Sequence, residues 1–151
     1  MSHHRLPLIA AGLLVAVLAV IGTAEAIIIY DFPIFGVVNG TQVARINAVL
    51  IVGPEYCPVT LAFIDSQGVM IIGPEYRLVQ GVAAHADFVG DPNARSGERL
   101  QIRAQVTVGD PQISPGCAGG VLTSVEVVDK LTRATHFIMT NPTKSEVPAR
   151  Q

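Results

Sequence analysis

Histidine and carboxylate residues are the first candidates for chemistry in this sequence, because they bind metals and transfer protons. His85 and Asp87 are two residues apart, so their side chains share one face if this segment is a strand. A zinc site takes three or four Cys, His or carboxylate ligands. Here the third ligand would have to be His136 or another distant residue, so we predict no metal site and no cofactor. The two residues are then members of a solvent-exposed strand face.

Catalytic patterns are equally sparse in this chain. The G-x-S-x-G elbow of serine hydrolases is absent from the sequence. Glycoside hydrolysis uses two carboxylates, but the spacing selects no pair among Asp65, Asp87, Glu98 and Glu126. We therefore predict that the protein is not an enzyme.

Two further motifs are explained by turn chemistry. The loop Asp91–Gly97 resembles an oxygen-rich calcium loop, but Arg95 stands where an oxygen ligand is needed. Asn39-Gly40-Thr41 fits an N-glycosylation acceptor, and Asn-Gly is also a strong tight-turn signal. We interpret both as turns.

The first 26 residues have the pattern of a secretory signal peptide. Arg5 precedes an apolar run of 14 residues, Leu8–Ile21, and Ala24-Glu25-Ala26 fits the cleavage pattern. The run is shorter than the roughly 20 residues that span a bilayer. We expect cleavage after Ala26 and export to the extracellular space, the cell surface or the periplasm, with no membrane contact afterwards. Retention of the segment as an N-terminal anchor is the alternative.

The net charge indicates which partners the protein can bind, and the cysteines indicate the redox environment of the protein. The net charge of −2 is too small to indicate nucleic acid as a partner. Cys57 and Cys117 are expected to form a disulfide in an exported protein. The bridge would close a loop of about 60 residues and contribute roughly 4 kcal/mol. Two free, buried thiols are the alternative.

The elements that must position these residues are strands. In Glu98–Val108, apolar residues alternate with polar ones: Leu100, Ile102, Ala104, Val106 and Val108 fall on one face, and Arg99, Gln101, Arg103, Gln105 and Thr107 on the other. Similar runs, separated by Gly, Pro and Asn turns, predict further strands over Thr41–Val52, Cys57–Asp65, Val69–Ile72, Arg77–Val89, Val121–Asp129 and Ala134–Thr140. Gly-Pro at 73–74 is expected to end the strand Val69–Ile72.

About seven to nine short strands without a helical pattern predict an all-β domain, an antiparallel two-sheet β-sandwich of immunoglobulin-like size and strand count. The analogy covers number and size only, because the chain has no tryptophan. We place the domain at residues 27–140, and we expect residues 141–151 to form a loose C-terminal tail.

The segment Ile27–Val38 is unusually apolar for the start of a mature chain. Its apolar residues could add as a strand to the sheet of a neighbouring copy and build a filament. The residues concerned are Ile27, Ile28, Ile29, Tyr30, Ile34, Phe35 and Val37. Alternatively, the segment is the first strand of its own sandwich.

A six-residue segment of the sequence occurs twice in similar form. Ile51–Tyr56 recurs in similar form as Ile71–Tyr76, 20 residues later. We interpret the echo as a reused strand-ending turn. A second possibility is that Glu55, Tyr56, Glu75 and Tyr76 form two exposed recognition tips.

Together these patterns predict a secreted, non-catalytic structural or interaction protein. Its expected partners are copies of itself or another extracellular protein. The alternative is a small ligand-binding protein or hydrolase whose site lies in the loops Gly90–Gly97 and Gly109–Gly120.

Overall fold

The protein is an all-β sandwich of two antiparallel sheets, as the strand alternation predicts. The computed structural model describes residues 26–109, 117, 120–140 and 142–148. These residues form ten strands: β1 Ala26–Asp31, β2 Phe35–Val38, β3 Gln42–Leu50, β4 Tyr56–Asp65, β5 Met70–Val79, β6 Ala83–Phe88, β7 Arg99–Val108, β8 Val121–Asp129, β9 Thr135–Met139 and β10 Thr143–Pro148. No helix in the described part of the chain has the length and apolarity to cross a membrane.

One sheet has six strands and the other has four. In the six-stranded sheet the order is β10-β1-β7-β4-β5, and β2 pairs with β7 beyond the end of β1. In the four-stranded sheet the order is β6-β3-β8-β9. The inner faces of the two sheets pack together and form one apolar core.

Strand β7 lies in the middle of the six-stranded sheet and confirms the alternation seen in its sequence. Its inward residues Ile102, Ala104, Val106 and Val108 are all at most 2% exposed. The outward residues between them are exposed or half-buried. Burying a side chain such as Ile102 contributes roughly 1.5–3 kcal/mol, so this strand is a main support of the fold.

The disulfide between Cys57 and Cys117 is present and links β4 to the segment that precedes β8. The Cα atoms of the two cysteines are 5.5 Å apart, and both residues are buried. Because disulfides persist in oxidising compartments, the bridge indicates an extracellular or periplasmic environment.

The prediction that a strand ends at Gly73-Pro74 is wrong. Strand β5 continues through both residues to Val79, and its register against β4 shifts between Thr60 and Ala62. β5 is an edge strand, where a proline removes no ladder bond that the sheet needs. An added Cβ at Gly73 would collide with the carbonyl oxygen of Leu61, so this bulge needs glycine.

The prediction of a loose tail over 141–151 is wrong for residues 143–148. Strand β10 pairs with the whole of β1, from Ala26 opposite Pro148 to Asp31 opposite Thr143. The segment lacks apolar alternation because β10 is an edge strand with exposed side chains. Its sequence therefore shows no strand pattern, although its backbone completes the sheet.

The N-terminal segment lies within its own sheet. β1 pairs with β7 on one side and β10 on the other, and β2 also pairs with β7. Residues Phe32-Pro33-Ile34 separate the two strands, which share one side of β7. This is the second of the two alternatives for Ile27–Val38. The signal-peptide prediction for residues 1–26 lies outside the described residues, apart from Ala26.

Candidate interaction face

Three rows of side chains cross the outer face of the four-stranded sheet, because β6, β3 and β8 are aligned residue by residue. From one end to the other, the rows are Asp87–Arg45–Glu126, His85–Asn47–Ser124 and Ala83–Val49–Leu122. The alternate residues of the same strands, among them Ala44, Ile46 and Val125, point into the core. Alternation thus forms a flat outer face whose character changes from polar to apolar along the strands.

An ion pair dominates the polar end of this face. Nε and Nη2 of Arg45 donate hydrogen bonds of 2.7 and 2.9 Å to the two carboxylate oxygens of Asp87. These bonds hold the pKa of Asp87 below its usual value, and the nearby His85 acts in the same direction. They also raise the pKa of Arg45. Asp87 is therefore held ionised as the partner of Arg45. An ionised carboxylate has no proton to donate, so Asp87 is not suited to act as a general acid.

The second row is held only weakly. Nδ2 of Asn47 lies 3.4 Å from both the Ser124 hydroxyl and a carboxylate oxygen of Glu126. His85 is exposed beside it. Contacts this long contribute little, so these side chains can rearrange against a partner at small cost.

The apolar end of the outer face consists of Val49, Ile51, Ala83 and Leu122. Val49 lies directly opposite Ala83 on one side and Leu122 on the other, and Ile51 follows Val49 by two residues. Ile51 is 48% exposed and Leu122 is 60% exposed. Next to the apolar end, Val52 and Val82 are 64% and 58% exposed. Contiguous exposed apolar residues with a polar rim are typical of protein interaction sites.

The residues that were considered as metal ligands, and rejected, do not come together in the structure. His85 and Asp87 do share the outer face, as their spacing predicts, but Asp87 is bound to Arg45. His136 lies on the edge strand β9, across β3 and β8 from them. Within the described ranges, no group of three His, Cys, Asp or Glu residues could hold a metal ion.

The two Glu-Tyr pairs do not form matching tips. Tyr56 lies on the outer face of the six-stranded sheet, where the guanidinium of Arg77 stacks 3.8 Å from its ring centre. Tyr76 points inward, packs against the core, and donates a hydrogen bond to the carbonyl oxygen of His85. Glu55 and Glu75 are exposed, one in the loop before β4 and the other in β5.

The loop Gly90–Gly97 is fixed by Asn39, which sequence reasoning identified only as a turn residue. The Asn39 amide nitrogen donates to the carbonyl oxygens of Asp91, Ala94 and Arg95 at 2.9–3.2 Å. Asn39 is the buried polar residue of this region, only 7% exposed. The Asn-Gly turn signal pointed to this position, but nothing in the sequence identified its distant partners.

Three carboxylates line a cavity of about 420 Å³ beside this loop. Each accepts a hydrogen bond from a backbone amide: Asp65 from Gln67, Asp91 from Asn93 and Glu98 from Arg95. Turn formation thus accounts for these groups, including two of the carboxylates considered for hydrolysis. Of the second candidate loop, 109–120, only Gly109, Cys117 and Gly120 lie within the described residues.

The candidate assembly residues divide between the two faces of their own sheet. Ile28, Phe35 and Val37 are buried in the core, and Tyr30 packs against it. Ile27 and Ile29 are half-buried on the outer face, while Ile34 is 68% exposed in the segment between β1 and β2. Every residue of β1 is opposite a residue of β10, and Ile28–Asp31 are also opposite residues of β7, so the strand has no free edge over that range.

Comparisons with known proteins add little. No family model matches the chain, and no curated protein matches it. A Thermotoga maritima protein, "Crystal Structure of Thermotoga maritima 1070", is similar at 10% sequence identity and a TM-score of 0.46, over 80% of this chain and 93% of that chain. A similarity this weak supports no conclusion about this chain. The fold is assigned from the strand pairing alone.

Proposed function

We propose that this is an exported, non-catalytic structural protein that associates with copies of itself through the outer face of the four-stranded sheet. The observation that carries the proposal is the apolar end of that face, where Ile51 and Leu122 are about half exposed. The Cys57–Cys117 disulfide supports export.

A face-to-face contact suits this surface better than strand addition. β1 is already paired on both sides, so adding it to a neighbour would first require it to leave β7 and β10. The outer face is available without any rearrangement. A two-fold axis along the row Ala83–Val49–Leu122 would bring two apolar ends together and leave both Arg45–Asp87 pairs in solvent. Sheets pack face to face through such apolar side chains at about 10 Å.

Sedimentation velocity over a range of protein concentrations tests this contact. We expect the wild type to shift from monomer towards dimer with concentration, and Leu122→Glu to remain monomeric. Leu131→Glu is the matched control, because Leu131 is 91% exposed on the β8–β9 turn and the charge change is identical. A wild type that stays monomeric throughout, or a Leu122→Glu variant that associates like the control, would overturn the proposal.

Export has its own test. Mass spectrometry of the protein purified from its native host should find a mature chain that begins at Ile27, after the Ala24-Glu25-Ala26 pattern. A chain that still begins at Met1 would contradict cleavage and favour the anchored alternative.

A further inference from the structure

A cleft on the outer face of the six-stranded sheet has no role in the proposed self-association. Its volume is about 610 Å³, within the range of about 300–1,000 Å³ usual for ligand pockets. The side chains that matter for its chemistry are those of Asp31, Pro33, Ile34, Ile64, Asp65 and Arg103.

The interruption between β1 and β2 opens this cleft. β7 pairs with β2 up to Ile102 and with β1 from Gln105 onward, so Arg103 and Ala104 have no ladder partner on that side. The backbone amide of Phe32 donates to the carbonyl oxygen of Ala104 at 3.0 Å, and the Phe32 side chain is buried. Pro33 and Ile34, both exposed, form one wall of the resulting gap.

Arg103 supplies the positive charge of the cleft. The residue is half-buried, and its guanidinium makes no hydrogen bond or ion pair with another described residue. Ile64, directly opposite on β4, is only 6% exposed although it lies on the outer face. The guanidinium therefore stands beside an apolar floor, a setting in which a carboxylate partner binds more strongly than in open water.

Asp31 supplies negative charge close to Arg103. Asp31 is the cross-strand neighbour of Gln105, and Arg103 is two residues from Gln105 on the same outer face. One carboxylate oxygen of Asp31 accepts a 2.9 Å hydrogen bond from Gln105. The other oxygen has no partner among the described residues. Asp65 adds a second carboxylate to the lining of the cleft.

This charge arrangement selects among ligands. A ligand with only a carboxylate would meet Arg103 but would be repelled by Asp31 and Asp65. A ligand with only an ammonium group would leave Arg103 unpaired. We propose that the cleft binds an α-amino acid with an apolar side chain: Arg103 binds its carboxylate, Asp31 binds its ammonium group, and Ile34 and Ile64 contact its side chain.

Three probes with the same branched side chain separate these requirements. L-leucine carries both charges, 4-methylpentanoate only the carboxylate, and 3-methylbutylamine only the ammonium group. Titrated into ¹⁵N-labelled protein, L-leucine should shift the amide signals of Ile64 and Gln101–Gln105 saturably. We expect each half-ligand to bind at least tenfold more weakly.

Variants then assign the two charges. Arg103→Gln and the nearly isosteric Asp31→Asn should each weaken L-leucine binding by at least tenfold. Arg99→Gln, a change of the same type on the same strand face, should leave binding unchanged, because Arg99 does not line the cleft. A thermal melt of each variant shows that it folds.

Several outcomes would overturn the proposal. The first is an absence of saturable shifts with L-leucine in the folded wild type. The others are equal binding of 4-methylpentanoate, and unchanged L-leucine binding in either Arg103→Gln or Asp31→Asn. Each result is independent of whether Leu122→Glu prevents self-association, so this site and the proposed function can fail separately.

Discussion

At the scale of single residues, Asn39 carries more of the structure than any other polar side chain described. Its amide nitrogen donates to three carbonyl oxygens, and its amide oxygen accepts from the backbone of Asp91 at 3.2 Å. An added Cβ at Gly90, where φ is +120°, would collide with that oxygen. The nitrogen that a glycan would occupy in Asn39-Gly40-Thr41 is thus buried in the folded protein.

Replacing Asn39 should therefore be costly. Asn39→Ala leaves three carbonyl oxygens and one amide of the loop without their partner, and we expect a loss of about 2–4 kcal/mol in the free energy of unfolding. Asn47→Ala is the control, because the Asn47 bonds are long and lie on the outer face. Its effect should stay within about 0.5 kcal/mol. Denaturant melts compare the two, and equal losses would contradict this role of Asn39.

The Arg45–Asp87 pair predicts a pH dependence. Because the pKa of Asp87 is lowered in the folded state, its stabilising effect is complete above the unfolded pKa of about 3.9. The effect is lost as the pH falls through the lower, folded pKa. The pair is about one-third exposed, so we expect less than about 1 kcal/mol.

Chemical melts of wild type and Asp87→Asn at several pH values measure this difference. The wild type should be the more stable at pH 6, and the difference should disappear in strong acid. A difference that grows as the pH falls would contradict the lowered pKa.

At the scale of elements, the buried strands could be predicted from the sequence, whereas the edge strand β10 and the full length of the edge strand β5 could not. β7 has alternate residues in the core, so burial imposes its pattern on the sequence. β10 is held by backbone pairing at an edge, and Lys144 and Glu146 on it are exposed. Backbone hydrogen bonds leave no trace in side-chain type. For the same reason, the continuation of β5 through Gly73-Pro74 could not be predicted from the sequence.

The β8–β9 hairpin turn contains an unusual residue. Arg133 has a φ of 62°, the left-handed conformation that favours glycine. The carboxylate of Asp129 holds this turn by accepting from the amides of Leu131 and Thr132 at 2.9 and 2.7 Å.

Arg133→Gly should stabilise the protein, because glycine adopts this conformation without steric cost. Glycine also raises the conformational entropy of the unfolded chain, which offsets part of this gain. We expect a net gain of about 0.5–1 kcal/mol in the free energy of unfolding. Arg133→Ala, which removes the charge but keeps the Cβ, should give no such gain. Thermal melts check both, and equal gains would point to the charge instead.

At the scale of the whole molecule, the two candidate sites lie on opposite outer faces of the sandwich. The residues of each are distant in sequence: the apolar end combines β3, β6 and β8, and the cleft combines β1, β4 and β7. The sequence predicted the layers, the face of β7 and the disulfide. It could not show either site, because both depend on strand order and register, which set how Val49 meets Leu122 or Arg103 meets Ile64.

We propose above that copies of this chain meet at the apolar end of the outer face. Methyl NMR with a soluble paramagnetic agent, at low and high protein concentration, tests it most directly. We predict that the methyl groups of Ile51 and Leu122 lose their relaxation enhancement at high concentration, while those of Leu131 keep it. Equal enhancement of Ile51 and Leu122 at both concentrations would contradict the claim.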